Sequence, residues 1–206
     1  MPRVRGQRSM DYEQKRRALL ERIRVRLLER EAGFASLREI AAGAGVTYPT
    51  IRHYFAARDD LVEALLGEYL EQGRPYLEAV RKPTLPFEAS ITEAVAGIDA
   101  GIEAGLGAVL AVGLIEGLHH ERLGPAYLER LLDLTLDALA DRLGVHLSRG
   151  EMRPCEPRFA ALSLASPLIL AYLHQEQLGG CRTWPLELVA FAQEHRDAFV
   201  RAHLSS

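Results

Sequence analysis

The chain has 206 residues, of which 48% are hydrophobic, 26% are charged and only 7% are aromatic. This composition excludes a disordered chain and argues against a β-rich core, which would need more aromatic residues. The formal net charge of −3 is unevenly distributed, because residues 1–58 hold 13 Arg and Lys against 6 Asp and Glu, whereas residues 59–206 hold 12 against 22. Such a basic segment either contacts phosphate groups or forms a solvated helix face, and the spacing of its residues has to distinguish the two.

A first helix is predicted from Tyr12 to Arg30, after a basic and flexible arm at about residues 1–11. Apolar residues recur at the spacing of one helix face, and arginines cover much of the remaining surface. The apolar positions are Leu19, Leu20, Ile23, Leu27 and Leu28. The helix is expected to end near Gly33.

A short second helix is predicted from Leu37 to Ala42. Ser36 is a good N-cap, and Glu39 three residues later completes a capping box. Glycines at positions 43 and 45 end this helix and supply a turn.

A third helix, capped by Thr47, extends to about residue 54 or 55. Pro49 is tolerated in its first turn, where no intrahelical N–H is required. Two short helices joined by a glycine-containing turn are typical of a helix-turn-helix, in which Ile40 and Ile51 would form the closing apolar pair.

The segment from Ser36 to Leu61 resembles the signature of the TetR family of bacterial transcriptional regulators. It reads SLREIAAGAGVTYPTIRHYF, followed after two alanines by RDDL. The resemblance covers about residues 15–65 and implies an all-α fold, with a three-helix DNA-binding domain at residues 1–58. Residues 59–206 would form a helical bundle that binds a ligand and dimerises through a two-helix surface.

The resemblance also implies which side chains contact DNA. Tyr48, Thr50 and Arg52 match positions that read bases in the major groove, and Arg38 matches a position that can reach a base edge or a phosphate group. Positions associated with phosphate contacts or helix packing are matched by Thr47, His53, Tyr54 and Arg58, and Ser36 and Pro49 complete the expected interface. The chain departs from the family at Tyr48, where Lys is common, and at Arg52, where Tyr is common.

The remaining chain is predicted to be entirely helical, with breaks at Pro83, Pro86, Gly124, Pro154 and Gly179-Gly180. The predicted helices lie near residues 59–72, 75–81, 87–103, 106–121, 125–143, 157–178 and 185–203. The last two match the family's dimer-forming helices, although an intramolecular core would need the same apolar residues. The expected interface comprises Phe159, Leu162, Ser166, Ile169, Leu170, Leu173, Val189 and Phe199.

Residues 97–117 are rich in glycine, including Gly97, Gly101 and Gly105 at four-residue spacing. Glycines here either allow close helix packing or leave room for a mainly apolar ligand. The ligand site would be lined by Ile98, Ile102, Leu106, Leu110 and Leu114, with Glu116, His119 and His120 orienting the ligand. The same acidic residue and histidines are too few to predict a metal site, and no cofactor is expected.

The polar N-terminus argues against a secretory signal, so we expect a cytoplasmic protein. The apolar stretches at residues 104–115 and 159–173 are too short to span a bilayer, so no membrane partner is expected. Cys155 and Cys181 lack ligand or CxxC spacing and are expected to be structural thiols, with a redox role left open.

Three functional hypotheses follow from these patterns. The first is a homodimeric repressor that binds a pseudo-palindromic double-stranded DNA operator and is released by a small-molecule effector. The second is a DNA-binding regulator, repressor or activator, that has no small-molecule effector. The third is a helical ligand-binding protein or enzyme that retains the N-terminal module. Because no motif gathers a nucleophile, a base and an acid, the sequence favours a protein without enzymatic activity.

Overall fold

The computed structural model of the protein describes the backbone of residues 5–28 and 35–205, and the side chains of residues 10–24 and 35–205. Over these residues the regular structure is helical, apart from one isolated β-bridge between Met152 and Leu204. The all-α prediction is therefore confirmed. The predicted arm at residues 1–4 and the helix end at Gly33 lie outside the described residues.

The helices are α1 (Arg5–Leu28), α2 (Leu37–Gly43), α3 (Tyr48–Tyr54), α4 (Arg58–Val80), α5 (Phe87–Gly101), α6 (Gly107–His119), α7 (Leu123–Tyr127), α8 (Asp133–Ser148), α9 (Pro157–Tyr172) and α10 (Leu188–His203). Short π-helical segments at Ile102–Leu106, Leu128–Leu132 and Leu173–Gln177 follow α5, α7 and α9. Helix α1 begins at Arg5, seven residues before the predicted start. The absence of Pro between these positions allows the helix to extend through most of the predicted arm.

The two helices predicted at residues 59–72 and 75–81 are one helix, α4, with Pro75 inside it. A proline removes one backbone hydrogen bond and is disfavoured in a helix interior. Pro75 is exposed, so the carbonyl group of Glu71 that loses its partner can bond to water. The prediction of a break was wrong for this reason.

Helices α5 and α6 are separated by a kink at Gly105, whose φ is +102°. Residues with a Cβ atom rarely adopt this backbone conformation, so the kink depends on glycine. By length and composition alone, Phe87–His119 is comparable to a membrane-spanning segment. The kink divides it into helices of 15 and 13 residues, each shorter than the roughly 20 residues that a bilayer requires.

Three clusters of buried apolar residues form the core. The first joins α1, α2, α3 and α4 and includes Ile23, Ile40, Ile51, Phe55, Leu61 and Leu65. The second joins α4, α6 and α7 and includes Val62, Leu66, Leu110 and Tyr127. The third joins α5, α8, α9 and α10. Two adjacent faces of α4 therefore contribute to the N-terminal core and to the core of the helical body.

Candidate nucleic-acid interface

Side-chain caps fix the first turns of α2 and α3. The Oγ atom of Ser36 accepts a hydrogen bond from the Glu39 N–H group at 3.3 Å, and the Glu39 carboxylate accepts one from the Ser36 N–H group at 2.7 Å. Thr47 Oγ1 accepts from the Thr50 N–H group at 3.3 Å, and the two threonine hydroxyl groups lie 2.8 Å apart. Both predicted caps are confirmed, so Ser36, Thr47 and Thr50 take part in positioning the helices.

The turn between α2 and α3 is held from α1 as well as by its own backbone. Gly45 adopts a φ of +64°, the left-handed conformation that glycine favours. Arg22 on α1 donates to the carbonyl groups of Ala44 at 2.9 Å and Gly45 at 3.4 Å. Sequence reasoning missed this contact, because Arg22 is one of many arginines on the polar face of α1.

The helix-turn-helix encloses its apolar residues and exposes its polar ones. Ile40 and Ile51 are fully buried, as predicted. On the outer surface, Tyr48 is half-buried. The other residues expected to face DNA here are exposed, namely Arg38, Pro49, Thr50 and Arg52. The guanidinium carbon of Arg38 lies 5.2 Å from the centroid of the Tyr48 ring. The exposed first turns of α2 and α3 can therefore present hydrogen-bond donors to a nucleic acid.

The end of α3 packs against α1 through aromatic rings. The Tyr12 ring lies 5.7 Å from the His53 ring and 4.9 Å from the Tyr54 ring, and His53 and Tyr54 are 4.8 Å apart. The Tyr12 hydroxyl group also donates to the His53 carbonyl oxygen at 3.3 Å. These contacts place Tyr54 in helix packing, whereas the exposed His53 ring can also approach a phosphate group.

Arg58, the first residue of α4, is largely buried and joins three parts of the chain. Its Nε and Nη2 atoms donate to the Glu116 carboxylate on α6 at 2.9 and 2.6 Å, and Nη1 donates to the Ala35 carbonyl group at 2.6 Å. Glu116 is also 3.6 Å from His120, which lies 3.9 Å from Asp59. Arg58, which was expected to contact DNA, thus contacts Glu116, which was expected to orient a ligand.

The residues expected to line a ligand site are dispersed in the structure. Leu110 is buried with α4 and α7, Leu106 packs at the edge of that cluster, and Ile98 packs against the third core cluster. Leu114, His119 and His120 are exposed. Only Ile102 lines the small cavity, about 80 Å³, that lies between α5, α9 and α10 and is bordered by Asp99, Tyr172 and Phe191. A wider groove of about 1010 Å³ lies between α1, α3 and α4 and is lined largely by charged side chains.

Tyrosine rings occupy the space beside the glycines of α5 and α6. A methyl group added to Gly97 would overlap the Tyr76 hydroxyl group, and one added to Gly107 or Gly113 would overlap the ring of Tyr172 or Tyr127. Burial of Tyr127 raises the pKa of its hydroxyl group to about 12. The structure therefore favours close helix packing over open space at these glycines.

Several residues of the expected dimer interface form an exposed apolar strip. Phe159 is 76% exposed, and Leu162, Ser166 and Leu170 continue the strip along α9. Val189 at the start of α10 is 67% exposed. Ile169 and Leu173 are half-buried, and Phe199 is buried in the third core cluster. Phe199 thus takes the intramolecular role that the sequence left open for this set of residues.

A buried polar network links α5 to α8. His146 Nε2 lies 2.7 Å from Ser90 Oγ, and His146 Nδ1 lies 2.6 Å from the Glu151 carboxylate. This order resembles a hydrolase triad, but Ser90 is fully buried and its Oγ atom accepts from Arg142 Nε at 2.8 Å. Arg142 also pairs with Glu93. The arrangement satisfies the hydrogen bonds of buried groups and leaves Ser90 without access to a substrate.

Across the part of the chain that the structure describes, no three His, Cys, Asp or Glu residues are grouped as metal ligands. Cys155 is half-buried, with its pKa raised by burial, and Cys181 is exposed. The two cysteines are both free thiols.

Comparison with solved structures shows the same fold over nearly the whole chain. A TetR transcription regulator from Haloarcula marismortui has a TM-score of 0.74 at 17% identity, covering 94% of this chain and 100% of that one. A TetR-family regulator from Pseudomonas syringae has a TM-score of 0.67 at 17% identity, covering 94% and 98%. SmeT, the repressor of the Stenotrophomonas maltophilia multidrug efflux pump SmeDEF, has a TM-score of 0.65 at 17% identity, covering 93% and 91%.

Comparison of sequences is informative over the N-terminal module. No curated protein matches the chain. The family model of bacterial regulatory proteins of the tetR family matches residues 26–65, which include α2, α3 and the start of α4. The module is therefore similar in sequence to the tetR family of bacterial regulatory proteins, and the whole chain has the fold of solved TetR-family regulators.

Proposed function

We propose that this protein is a homodimeric, non-enzymatic repressor in the cytoplasm, which binds a pseudo-palindromic DNA operator and leaves it when a small apolar molecule binds. The observation that carries the DNA-binding part is the surface formed by exposed Arg38, Thr50 and Arg52 and half-buried Tyr48 on a basic segment. Side chains of this kind at the start of a recognition helix can reach base edges in the major groove.

Two copies would give the contact length that one short recognition helix lacks. The exposed strip of Phe159, Leu162 and Leu170 on α9 is the surface that we assign to the second copy. A two-fold dimer would place its recognition helices in half-sites about 34–36 Å apart, which explains the pseudo-palindromic operator that we propose.

The ion pair between Arg58 and Glu116 supports release by a ligand. Glu116 lies on α6 in the helical body, and Arg58 also bonds to the Ala35 carbonyl group just before α2. A molecule that binds the body and shifts α6 would therefore change the position of the helix-turn-helix. A ligand that prefers the shifted state lowers operator affinity by the ratio of its affinities for the two states. SmeT, which shares the fold, has been solved in complex with triclosan.

The decisive experiment selects duplexes from a random DNA pool with the full-length protein at roughly physiological salt, 150 mM. A selected motif that is pseudo-palindromic and bound by a dimer would support the proposal. Enrichment of no sequence over random DNA would refute it. Arg52→Ala should relax base preference at one position, whereas a phosphate contact would weaken binding to all sequences alike.

A second candidate is a DNA-binding regulator without a small-molecule effector. The observation that favours it is the filling of the glycine positions by Tyr76, Tyr127 and Tyr172, with only about 80 Å³ of cavity bordered by Tyr172. Calorimetry against apolar metabolites and drugs separates the candidates, because only the first predicts a compound that binds and also lowers affinity for the selected duplex.

A further inference from the structure

We propose that Tyr48 determines base specificity by positioning Arg38, so that the two side chains read one guanine of the operator as a stacked unit. The inference rests on the proposed DNA-binding function. Tyr48 would act through Arg38, and the pair would give the protein a preference for guanine at one base pair of the operator.

The first step is the contact between two separate helices. Arg38 lies in the first turn of α2 and Tyr48 is the first residue of α3. The guanidinium carbon of Arg38 is 5.2 Å from the centroid of the Tyr48 ring. This distance is within the roughly 6 Å over which a cation is attracted to an aromatic face.

The second step is that this contact leaves the hydrogen-bond donors of Arg38 available. Within the described part of the chain, the Arg38 guanidinium forms no hydrogen bond or ion pair. Arg22, in contrast, donates to the Ala44 carbonyl group, and Arg58 donates to Glu116. Stacking uses the face of the guanidinium, whereas its N–H groups point outward in the plane and can bond to a ligand.

The third step identifies the base. The planar guanidinium matches the O6 and N7 acceptors of guanine, which it contacts with two parallel hydrogen bonds in the major groove. A long arginine side chain in solution loses rotamer freedom when it makes such a contact. The Tyr48 ring reduces that loss because it restricts Arg38 before DNA binds. A cation at position 48 would repel Arg38 instead.

The test measures base preference with the full-length protein. A random duplex pool is selected with the unmodified protein, and the affinity is then measured for the selected duplex and for duplexes changed at each base pair. Arg38→Ala should lower the preference for guanine at one base pair roughly 5- to 150-fold. Tyr48→Leu should lower the preference at that same base pair roughly two- to fivefold, and Tyr48→Phe should retain it because the ring remains.

The double variant Arg38→Ala with Tyr48→Leu separates positioning from direct contact. If Tyr48 acts through Arg38, the double variant should show the same preference at that base pair as Arg38→Ala alone. The matched control is the base pair at which Arg52→Ala loses its base preference. At that base pair, Tyr48→Leu should keep the preference of the unmodified protein. Tyr48→Met, tested in parallel, provides a second ringless variant if the leucine variant has a lowered melting temperature.

Two results would overturn the inference while leaving the proposed function intact. One is an unchanged guanine preference when the Tyr48 ring is removed. The other is a further loss at the same base pair in the double variant, which would show that Tyr48 contacts the base itself. If the unmodified protein selects no sequence, the proposed function fails, and that outcome is distinct from both.

Discussion

Arg58 and Glu116 are 58 positions apart in sequence, yet the Arg58 guanidinium donates twice to one Glu116 oxygen, at 2.9 and 2.6 Å. Their side chains are 18% and 5% exposed, so the ion pair is largely removed from water. Because Arg58 also bonds to the Ala35 carbonyl group, the pair connects the segment before α2 to the C-terminal half of α6. The pair is thus a direct polar link between the N-terminal module and the helical body.

Arg58→Met should lower the free energy of unfolding by about 3 kcal/mol, because the Glu116 carboxylate stays buried but loses its ion pair with Arg58. Adding Glu116→Leu should recover most of that loss, since removing both charges also removes the desolvation cost. Urea unfolding of the two single variants and the double variant measures this coupling. An Arg58→Met protein as stable as the unmodified one would contradict an energetically important ion pair.

Gly113→Ala should destabilise the protein by about 1–3 kcal/mol, because the new methyl group would overlap the buried Tyr127 ring. Gly144→Ala on α8 is the matched control, since no atom lies within 4 Å of its added methyl group. That control should be more stable by about 0.5–1 kcal/mol, as expected for alanine in a helix. Thermal unfolding of both variants gives the comparison, and equal effects would argue against ring packing at Gly113.

Asp60 should stabilise the protein in a pH-dependent manner. A hydrogen bond from Arg122 lowers the pKa of Asp60, and the Ala57 N–H group contributes in the same direction. A carboxyl group with a lowered folded-state pKa stabilises the protein above its unfolded pKa of about 3.9, and the stabilisation is lost as pH falls through the folded-state value. The pair is partly exposed, so the gain at neutral pH should be at most about 1 kcal/mol.

The measurement is urea unfolding of the unmodified protein and Asp60→Asn between pH 3 and pH 7. The difference in stability should be constant near neutral pH and shrink in the most acidic samples. A difference that grows on acidification would have the opposite sign and would refute the role assigned to the charged form of Asp60.

Phe159→Glu or Leu162→Glu should convert the protein from dimer to monomer, because each places a charge in the exposed strip on α9 that we assign to the interface. Analytical ultracentrifugation measures the oligomeric state, and circular dichroism checks that the variants remain helical. The matched control is Gln72→Glu, an exposed position on α4 that lies outside the expected interface. Dimers that persist in both strip variants would exclude this surface.

The sequence predicts local features well because their determinants are neighbours in the chain. The caps at Ser36 and Thr47 and the burial of Ile40 and Ile51 follow from spacings of a few residues. Arg58 could not be placed in the same way. Its motif position implies either a phosphate contact or helix packing, whereas its contact with Glu116 depends on how α4 and α6 pack.

The sequence alone does not determine the position of side chains that suit two environments. Phe199 fits a dimer interface and an intramolecular core equally well in sequence, and only the packing of α10 against α5 and α9 distinguishes them. No spacing in the sequence connects Ser90, His146 and Glu151, because their network forms only when α5 lies against α8. In these cases the missing information is tertiary, and no local pattern contains it.

Along its N-terminal turns helix α4 contributes to two cores, since Leu61 and Leu65 lie in one and Val62 and Leu66 lie in another. A fragment that stops at residue 58 would leave Ile40, Ile51 and Phe55 partly uncovered. A fragment that ends at residue 66 would expose Val62 and Leu66, which pack against α6 and α7 in the whole protein. The N-terminal module and the helical body therefore share helix α4, and we expect them to unfold in one cooperative transition.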